Sequence, residues 1–250
     1  QKEFIHKMMN NTLKEQFNAL DFVVNPQKEL QSTIIGDDTD TTVGCCALKH
    51  YTGLEIGAYY DFDNLYYKEG FDKQKELIGV DMSLVQKGSK CWDNHIALAG
   101  KNDSLESQCA NINVFKNINA GSKTEYHKKY AGSTALQIFA YYDGNKPKTE
   151  EGIMLWLGID SAYKGHYYDN FKGVHNGYLE ELGLSYMIDT LNKYTIKEMN
   201  DFAQLHGLNS KNKLDKYQRL YNVGKWMKQS NGSWLQGKAM NMEFLTEHLG

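Results

Sequence analysis

Short apolar segments that alternate with helical patterns predict an α/β protein. Runs rich in β-branched and aromatic residues are typical of strands, and apolar positions at helical spacing are typical of helices. The predicted strands span residues 32–36, 54–60, 77–80 and 89–92. The predicted helices span residues 1–21, 42–51, 132–142 and 150–158. Strands and helices in this alternation favour a mostly parallel sheet with helices on both faces.

The C-terminal part of the chain has mainly helical patterns from about residue 176. Residues 195–198 carry the Thr-x-x-Glu pattern of a capping box, and Gly207 is placed to end the helix that follows. A further helix is predicted over residues 211–229. We therefore predict an α/β domain over residues 1–175 and a helical subdomain or cover over residues 176–250.

Composition and charge narrow the class of protein. The chain has 250 residues, a formal net charge of −3 and no block of like charges, so the sequence does not indicate binding to duplex nucleic acid. No apolar stretch approaches the ~20 residues of a membrane-spanning helix. No secretory signal is visible at the N-terminus, and four cysteines without C-x-x-C spacing fit a reducing compartment, so we expect a cytoplasmic protein. Oligomeric state is not predicted.

Acidic side chains follow the predicted strands at the points where the strands end. Asp38 and Asp40 follow the first strand, Asp81 the third, and Asp93 with His95 the fourth. Ligands in an open α/β sheet bind at the carboxyl ends of the strands, and converging carboxylates repel one another unless a cation neutralises them. Hard oxygen ligands with one imidazole favour Mn²⁺ or Mg²⁺ over zinc alone.

Simpler structural roles remain open for the same residues. Asp40 precedes a predicted helix and could be only its N-cap, and Asp38 could be a turn residue. His166, Lys172 and His175 could reach a phosphate, but their polar segment is more typical of a solvated loop. Arg219 is the only arginine, so a phosphate would have to be held by metal, lysine, histidine or backbone N–H groups.

The order of these motifs resembles that of the DHH (Asp-His-His) phosphoesterase family. The motifs are IIGDDTDTTVG, LIGVDMSL, KCWDNH and LWLGIDSAY, the last of which contributes Asp160. A helix start rich in small residues, AGSTALQIF, lies between the third and fourth motifs, as in the family. The resemblance covers residues 30–165, roughly half of the chain. No single motif is specific, so the resemblance depends on their order and on the strand context.

The resemblance implies two metal ions, usually Mn²⁺, that activate a water for attack on phosphorus. The implied metal ligands are Asp38, Asp40, Asp81, Asp160 and Asn94. Among them, Asp38 and Asp40 would bind one metal each, and Asp81 would bridge the two. Asp93 would orient the site, and His95 would contact the substrate phosphate.

Two positions depart from the family pattern. Ile34 stands where the first motif usually has a metal-binding histidine, and Asn94 replaces the middle histidine of the Asp-His-His triplet. Both changes remove nitrogen ligands while every expected aspartate is present. They imply an oxygen-only site, a single-metal site, or a fold that has lost catalysis and kept binding. The glycine-rich, histidine-containing substrate motif of many family members is also missing from this sequence.

The predicted function is metal-dependent hydrolysis of a phosphate ester. The predicted substrate is a short single-stranded oligonucleotide, a signalling nucleotide or another small phosphate-containing molecule. The alternative is a catalytically impaired DHH-like module that binds a nucleotide or a protein. A third hypothesis gives the C-terminal helices a role in self-association or partner binding and makes the acidic edge structural.

Overall fold

The computed structural model describes residues 8–228 and 233–249. The helices of this part are α1 Asn11–Asn18, α2 Asp21–Val24, α3 Thr39–Thr52, α4 Ile112–Phe115, α5 Lys123–Tyr126, α6 Thr134–Tyr141, α7 Glu150–Gly158, α8 Asp169–Glu181, α9 Tyr186–Lys193, α10 Ile196–Leu205 and α11 Met242–Leu249. The strands are β1 Gln31–Ile35, β2 Ile56–Tyr60, β3 Leu65–Tyr67, β4 Glu76–Val80, β5 Lys90–Trp92, β6 Gln108–Ala110, β7 Ser210–Leu214, β8 Leu220–Gly224, β9 Trp226–Lys228 and β10 Trp234–Gln236. Short 3₁₀ helices span Ile159–Ser161 and Lys164–Tyr167.

A six-stranded sheet with the order β3-β2-β1-β4-β5-β6 forms the centre of the molecule. Strand β1 pairs in parallel with β2 on one side and with β4 on the other, and β4–β5 and β5–β6 are also parallel. Only β3 runs antiparallel, at the edge beside β2. The predicted α/β fold with a mostly parallel sheet is confirmed.

Helices cover the sheet and bury its central strands. All five residues of β1 are buried, as expected for a parallel strand covered on both faces. Gly44 lets α3 approach closely, because a Cβ atom there would lie 2.8 Å from Cγ1 of Val80 and 3.4 Å from Cδ1 of Ile138. This close packing places the start of α3 beside the start of α6.

The described part of the leading segment contains α1 and α2 rather than one continuous helix. Leu13 and Phe17 of α1 are buried, and the Phe17 ring stacks on Trp92 with ring centroids 5.4 Å apart. Residues 1–7 of the predicted helix lie outside the described residues. Helix α3 begins three residues earlier than predicted and ends as expected before Gly53, which has a φ of 77°.

The prediction of a helix over residues 211–229 is wrong. The chain forms the antiparallel hairpin β7–β8 there, with Asn212 paired to Asn222, and then enters β9. The inward positions of β7 are Ser210 and Asn212, so the strand lacks the apolar alternation by which a half-buried strand is recognised. Strands β3 and β6, of three residues each, were also not predicted, since such short runs carry little periodicity.

The helical part of the C-terminal region runs from α8 to α10. The capping box before α10 is confirmed, with Thr195 and Glu198 bonded to each other's backbone N–H. Tyr178, Met187 and Met199 belong to the same hydrophobic cluster as the residues around the sheet, so these helices act as a cover. Within the described residues, no helix combines the length and the apolar character needed to span a bilayer.

Candidate functional site

The carboxyl ends of β1, β4 and β5 carry most of the predicted site. These strands are neighbours, and Ile34 pairs with Gly79 while Val80 pairs with Trp92, so the strands end side by side. The strand order reverses between β1 and β4, because the chain first moves outward to β2 and β3 and then returns to the other side of β1. Such a switch point is where open α/β sheets bind ligands.

Two adjoining cavities lie at this edge and share Asp38 and Lys211. The larger one, here called the acidic cleft, has a volume of about 650 Å³ and is lined by residues that include Asp37, Asp38, Asp81, His95 and Lys211. The smaller one, here called the inner cavity, has a volume of about 80 Å³. Its lining includes Asp38, Asp40, Asp160, Lys211 and Lys225.

Asp38, rather than Asp40, is the N-cap of α3. Its Oδ1 accepts a hydrogen bond of 3.2 Å from the backbone N–H of Thr41. The cap arises because the chain leaves β1 through Gly36 and Asp37 and turns directly into the helix. A capping carboxylate keeps spare lone pairs, so the capping role of Asp38 is compatible with metal binding.

Asp40 is buried in the first turn of α3 and faces the start of α6. Its two carboxylate oxygens accept hydrogen bonds of 2.8 Å from Thr134 N and 2.7 Å from Ala135 N. Burial raises the pKa of Asp40 well above its usual range, and the charges of Asp81 and Asp160 raise it further, while the Ala135 N–H opposes them. The possible role of Asp40 as N-cap of α3 is therefore wrong, since its carboxylate binds the N-terminus of a different helix.

Asp81 lies directly after β4 in a left-handed backbone conformation with a φ of 57°. Its Oδ1 accepts a hydrogen bond of 2.9 Å from Thr134 Oγ1 and lies 3.8 Å from Nδ1 of His95. Burial, followed by the charge of Asp38, raises the pKa of Asp81 to about 8. The charge of His95 opposes this rise, so the raised pKa of Asp81 results from burial and from the neighbouring carboxylates.

Asp93 and His95 form a hydrogen-bonded pair at the end of β5. Oδ1 of Asp93 lies 2.7 Å from Nδ1 of His95, and Oδ2 accepts hydrogen bonds from Ser83 Oγ and Asn111 Nδ2. The hydrogen bond to Asp93 raises the pKa of His95 to about 9, although burial opposes it. Asp93 is fully buried and His95 is exposed, so the carboxylate orients an imidazole that faces the cleft.

Asp81, Asp93 and His95 could hold a metal ion together. One potential ligand atom from each lies within 4.8 Å of the other two. Two carboxylates and one imidazole are ligands that several divalent cations accept. The structure thus brings together a possible three-residue metal site whose members were all singled out from the sequence.

Asp160 reaches the same edge from a different part of the chain. It follows α7 in a left-handed conformation, with a φ of 49°, and lines the inner cavity with Asp38 and Asp40. Desolvation and the charge of Asp38 raise the pKa of Asp160, even though part of its side chain is exposed. The predicted convergence of Asp160 with the first motif is therefore present in the fold.

Asn94 is hydrogen-bonded away from the acidic residues. Its Nδ2 donates to the carbonyl of Gly132 at 2.5 Å, and its own backbone carbonyl accepts from Asn113 Nδ2 at 2.6 Å. These bonds tie the end of β5 to the segment that precedes α6. The predicted metal-binding role of Asn94 stays a prediction, and only its carbonyl oxygen could fulfil it.

The segment after Asp160 is not the solvated loop that its polar composition suggested. It forms a 3₁₀ helix and α8, and both His166 and His175 are buried. Nε2 of His175 lies 2.5 Å from the carbonyl of Ala162, and Nδ1 of His166 lies 2.9 Å from Oδ1 of Asn176. Burial lowers the pKa of His175, so this imidazole is a neutral packing group that ties α8 to the chain beyond Asp160.

Lys211 and Asn212 of β7 were missed from the sequence and complete the site. Nζ of Lys211 lies 2.9 Å from Oδ1 of Asp37, and this lysine lines both cavities. Asn212 is buried and its Nδ2 donates to the carbonyl of Gly36 at 3.0 Å and to Thr42 Oγ1 at 2.7 Å. The sequence predicts a helix over this segment, and a helix would not pair with the turn after β1. No local motif marks either residue.

Comparisons with known proteins provide no assignment: no protein-family model, no curated protein and no solved structure matches this chain. The family resemblance of the motifs therefore stays a prediction.

Proposed function

We propose that the protein is a metal-dependent phosphohydrolase, a divergent relative of the DHH phosphoesterases. The observation that carries this proposal is the convergence of Asp38, Asp40, Asp81, Asp93 and Asp160, together with His95, at the switch point of the sheet. Burial of so many carboxylates without a counter-ion is unfavourable. A divalent cation would remove that penalty.

The donor set fits a hard cation. Burial raises the pKa of both Asp40 and Asp81, and the charges of neighbouring aspartates raise it further, so a bound cation would stabilise the ionised form of both carboxyls. Asp38, Asp40, Asp81 and Asp160 would hold one or two ions of Mn²⁺ or Mg²⁺, with Asp93 or Asn94 as further oxygen donors. A bound ion of this kind polarises phosphoryl oxygens and makes a water more acidic.

The chain's own groups supply orientation and charge for the substrate. Asp93 holds Nδ1 of His95 at 2.7 Å, which leaves Nε2 as the ring nitrogen that can serve a ligand in the cleft. The hydrogen bond to Asp93 raises the pKa of His95 and favours the imidazolium, which can donate to a phosphate. Lys211 is the second cationic group that lines the cleft.

The first experiment is calorimetric titration of metal-free protein with Mn²⁺ and Mg²⁺. Wild-type protein and the Asp81→Ala variant are compared, with Asp189→Ala as the control, because Asp189 is an exposed aspartate on α9. We expect wild type and the control to bind metal and Asp81→Ala to lose binding. A panel of phosphodiester and phosphomonoester substrates then tests hydrolysis. No metal binding by wild type would overturn the proposal.

A second candidate function is a binding module without catalysis. It is favoured by Asn94, whose Nδ2 is bonded to Gly132, and by Ile34, an apolar residue on the cleft wall. Neither position can supply the nitrogen ligand that the family pattern has there. Metal binding with no turnover of any substrate in the panel would favour this candidate.

A further inference from the structure

Residues 211–238, here called the basic segment, concentrate positive charge. Seven of the 28 lysine and arginine residues of the chain lie in this segment, but Asp215 is the only one of its 31 acidic residues that does. The chain as a whole has a net charge of −3, so the rest of it is acidic. Such a separation of charge favours contact between the basic segment and an anionic partner.

The tip of the β7–β8 hairpin is fixed by Asp215. Its Oδ1 accepts hydrogen bonds from the backbone N–H groups of Tyr217 and Arg219, at 2.8 and 2.9 Å, and its Oδ2 accepts from Nε of Arg219 at 2.8 Å. The one carboxylate of the basic segment is therefore engaged within the turn. Lys213 and Lys216, on either side of Asp215, are exposed.

Aromatic and aliphatic side chains are exposed at the same tip. Tyr217 is 66% exposed, and Leu220 and Tyr221 are 43% and 46% exposed. Nζ of Lys216 lies 4.9 Å from the centroid of the Tyr217 ring, and Cζ of Arg219 lies 5.1 Å from it. The tip thus combines cations with apolar groups that the fold leaves in contact with solvent.

These apolar groups do not share one face of the hairpin. Leu220 pairs with Leu214, and Tyr221 pairs with Lys213. Because side chains alternate along a strand, Leu220 and Tyr221 project from opposite faces. A flat partner on one face would contact only one of them. A medium that surrounds the tip, such as the interface of a lipid bilayer, can contact both of them and Tyr217 at the turn.

A single strand of nucleic acid fits this tip less well than a bilayer does. Stacking of a base requires an open aromatic face, whereas Lys216 and Arg219 already lie over the Tyr217 ring. Leu220 has no π face to stack, but its burial among acyl chains is favourable. Tyrosine is typical of membrane–water interfaces, and lysine and arginine near the surface attract anionic headgroups.

We infer that the tip of the β7–β8 hairpin docks the protein onto a bilayer that contains anionic lipid. The cations of the tip contact the headgroups, and Tyr217, Leu220 and Tyr221 enter the interface. The docking is peripheral, because it involves only exposed side chains of a hairpin tip. It does not depend on the proposed function, since none of these three side chains lines the acidic cleft or the inner cavity.

The test is co-sedimentation of the full chain with large vesicles, made of phosphatidylcholine alone or of an equimolar mixture with phosphatidylserine. Lys213→Glu combined with Lys216→Glu reverses the charge of the tip. Lys87→Glu combined with Lys101→Glu is the matched control, because it changes the net charge equally at two other exposed positions. Leu220→Ser removes the aliphatic group. Thermal unfolding checks that each variant is folded like wild type.

Wild type should bind the mixed vesicles but not those of phosphatidylcholine alone, and its binding should weaken as the salt concentration rises. Charge reversal at the tip should weaken binding about 10-fold or more, and Leu220→Ser should weaken it about 3- to 10-fold. The matched control should bind like wild type.

No binding of wild type to the mixed vesicles, or an equal loss in the matched control, would overturn the inference. A single-stranded oligonucleotide titrated in parallel tests the other anionic partner. If it binds to wild type and to Leu220→Ser equally while the mixed vesicles do not bind, the tip is a nucleic-acid surface and the inference is wrong.

Discussion

The backbone N–H of Asn212 donates a hydrogen bond of 2.6 Å to the carbonyl of Asp37. This bond joins β7, near the C-terminal end of the chain, to the turn that carries Asp38. The neighbouring residues Asp38 and Lys211 form an antiparallel bridge, and Tyr59 Oη donates to the carbonyl of Asn212 at 2.9 Å. The acidic turn is therefore held by a strand from the C-terminal region as well as by its own helix cap.

Replacement of Asn212 by alanine should loosen the acidic turn. The change removes donors to the carbonyl of Gly36 and to Thr42 Oγ1, and it leaves buried polar atoms without their partner. We expect a loss of about 1–3 kcal/mol in the free energy of unfolding. We also expect Mn²⁺ affinity to fall about 10-fold or more, as for residues that orient metal ligands.

Urea denaturation and calorimetry of Asn212→Ala measure these two effects. Lys213→Ala is the control, because Lys213 is exposed on the opposite face of the same strand and should change neither quantity. If Asn212→Ala is less stable than wild type but binds Mn²⁺ with the same affinity, Asn212 has a structural role and does not orient the metal ligands.

The parts of the site that could be predicted are those next to strands with a clear pattern. Asp38, Asp81 and Asp93 each follow a buried strand of largely apolar or β-branched residues, and these runs mark the strand ends in the sequence. The geometry of a parallel sheet then brings the three side chains together. Asp160 follows an apolar helix, and only the order of the motifs linked it to the others. Its position in the inner cavity arises from the packing of α7.

The parts that could not be predicted depend on contacts between distant segments. The inward residues of β7 are polar, and their partners are the carbonyls of a turn at the other end of the chain, which no local periodicity reveals. The position of Asp40 in the sequence indicates a possible cap of its own helix. Its true partner is the N-terminus of α6, which depends on how closely α3 and α6 pack at Gly44.

Replacement of Asp40 by asparagine should affect stability and metal binding together. Both oxygens of Asp40 accept from backbone N–H groups, and an asparagine amide would place a donor against one of them. We expect the free energy of unfolding of the metal-free protein to fall by about 1–3 kcal/mol and Mn²⁺ binding to be lost. Urea denaturation and calorimetry of Asp40→Asn measure these effects.

Asp81→Asn is compared with Asp40→Asn to separate the effect on Mn²⁺ binding from the effect on stability. Among the side-chain hydrogen bonds of Asp81, the described residues show only the one from Thr134 Oγ1, and an asparagine carbonyl can accept the same bond. This variant should lose Mn²⁺ binding with no loss of stability. If Asp40→Asn is as stable as wild type, the hydrogen bonds from the start of α6 to Asp40 do not stabilise the fold. If Asp81→Asn still binds Mn²⁺, Asp81 is not a metal ligand.

The stability of the metal-free protein should fall as the pH rises from about 6.5 to 8. Asp81 has a folded pKa of about 8 against a usual value of 3.8, and His95 has about 9 against 6.5. Both groups hold a proton more tightly in the folded state than in the unfolded state. The stabilisation that each provides is fully present at a pH below its unfolded pKa, and it is lost as the pH rises through its folded pKa. For Asp81, the free energy of unfolding can fall by about 1.4 kcal/mol per pH unit. His95 contributes less, because it is exposed to solvent.

Thermal unfolding between pH 5 and 9, with and without Mn²⁺, measures this dependence. The metal competes with protons for the carboxylates, so the stabilisation by Mn²⁺ should increase with pH. Asp81→Asn should flatten the decline in the metal-free protein. A stability that rises with pH in the metal-free wild type would show that the acidic edge is not protonated in the folded state.

Replacement of His95 by glutamine distinguishes a phosphate-binding histidine from a metal ligand. Because Nδ1 of His95 is bonded to Asp93, and because the charged imidazolium suits an anion, we expect contact with the substrate phosphate. His95→Gln should then keep Mn²⁺ affinity within about 3-fold of wild type, a change of less than 1 kcal/mol, and should lower the rate of phosphate-ester hydrolysis by 10-fold or more. Calorimetry and steady-state kinetics on one preparation compare the two quantities. His127→Gln is the control, because His127 is exposed and lines neither cavity. If Mn²⁺ affinity falls with the rate, His95 binds the metal with Asp81 and Asp93, as the spacing of their ligand atoms allows.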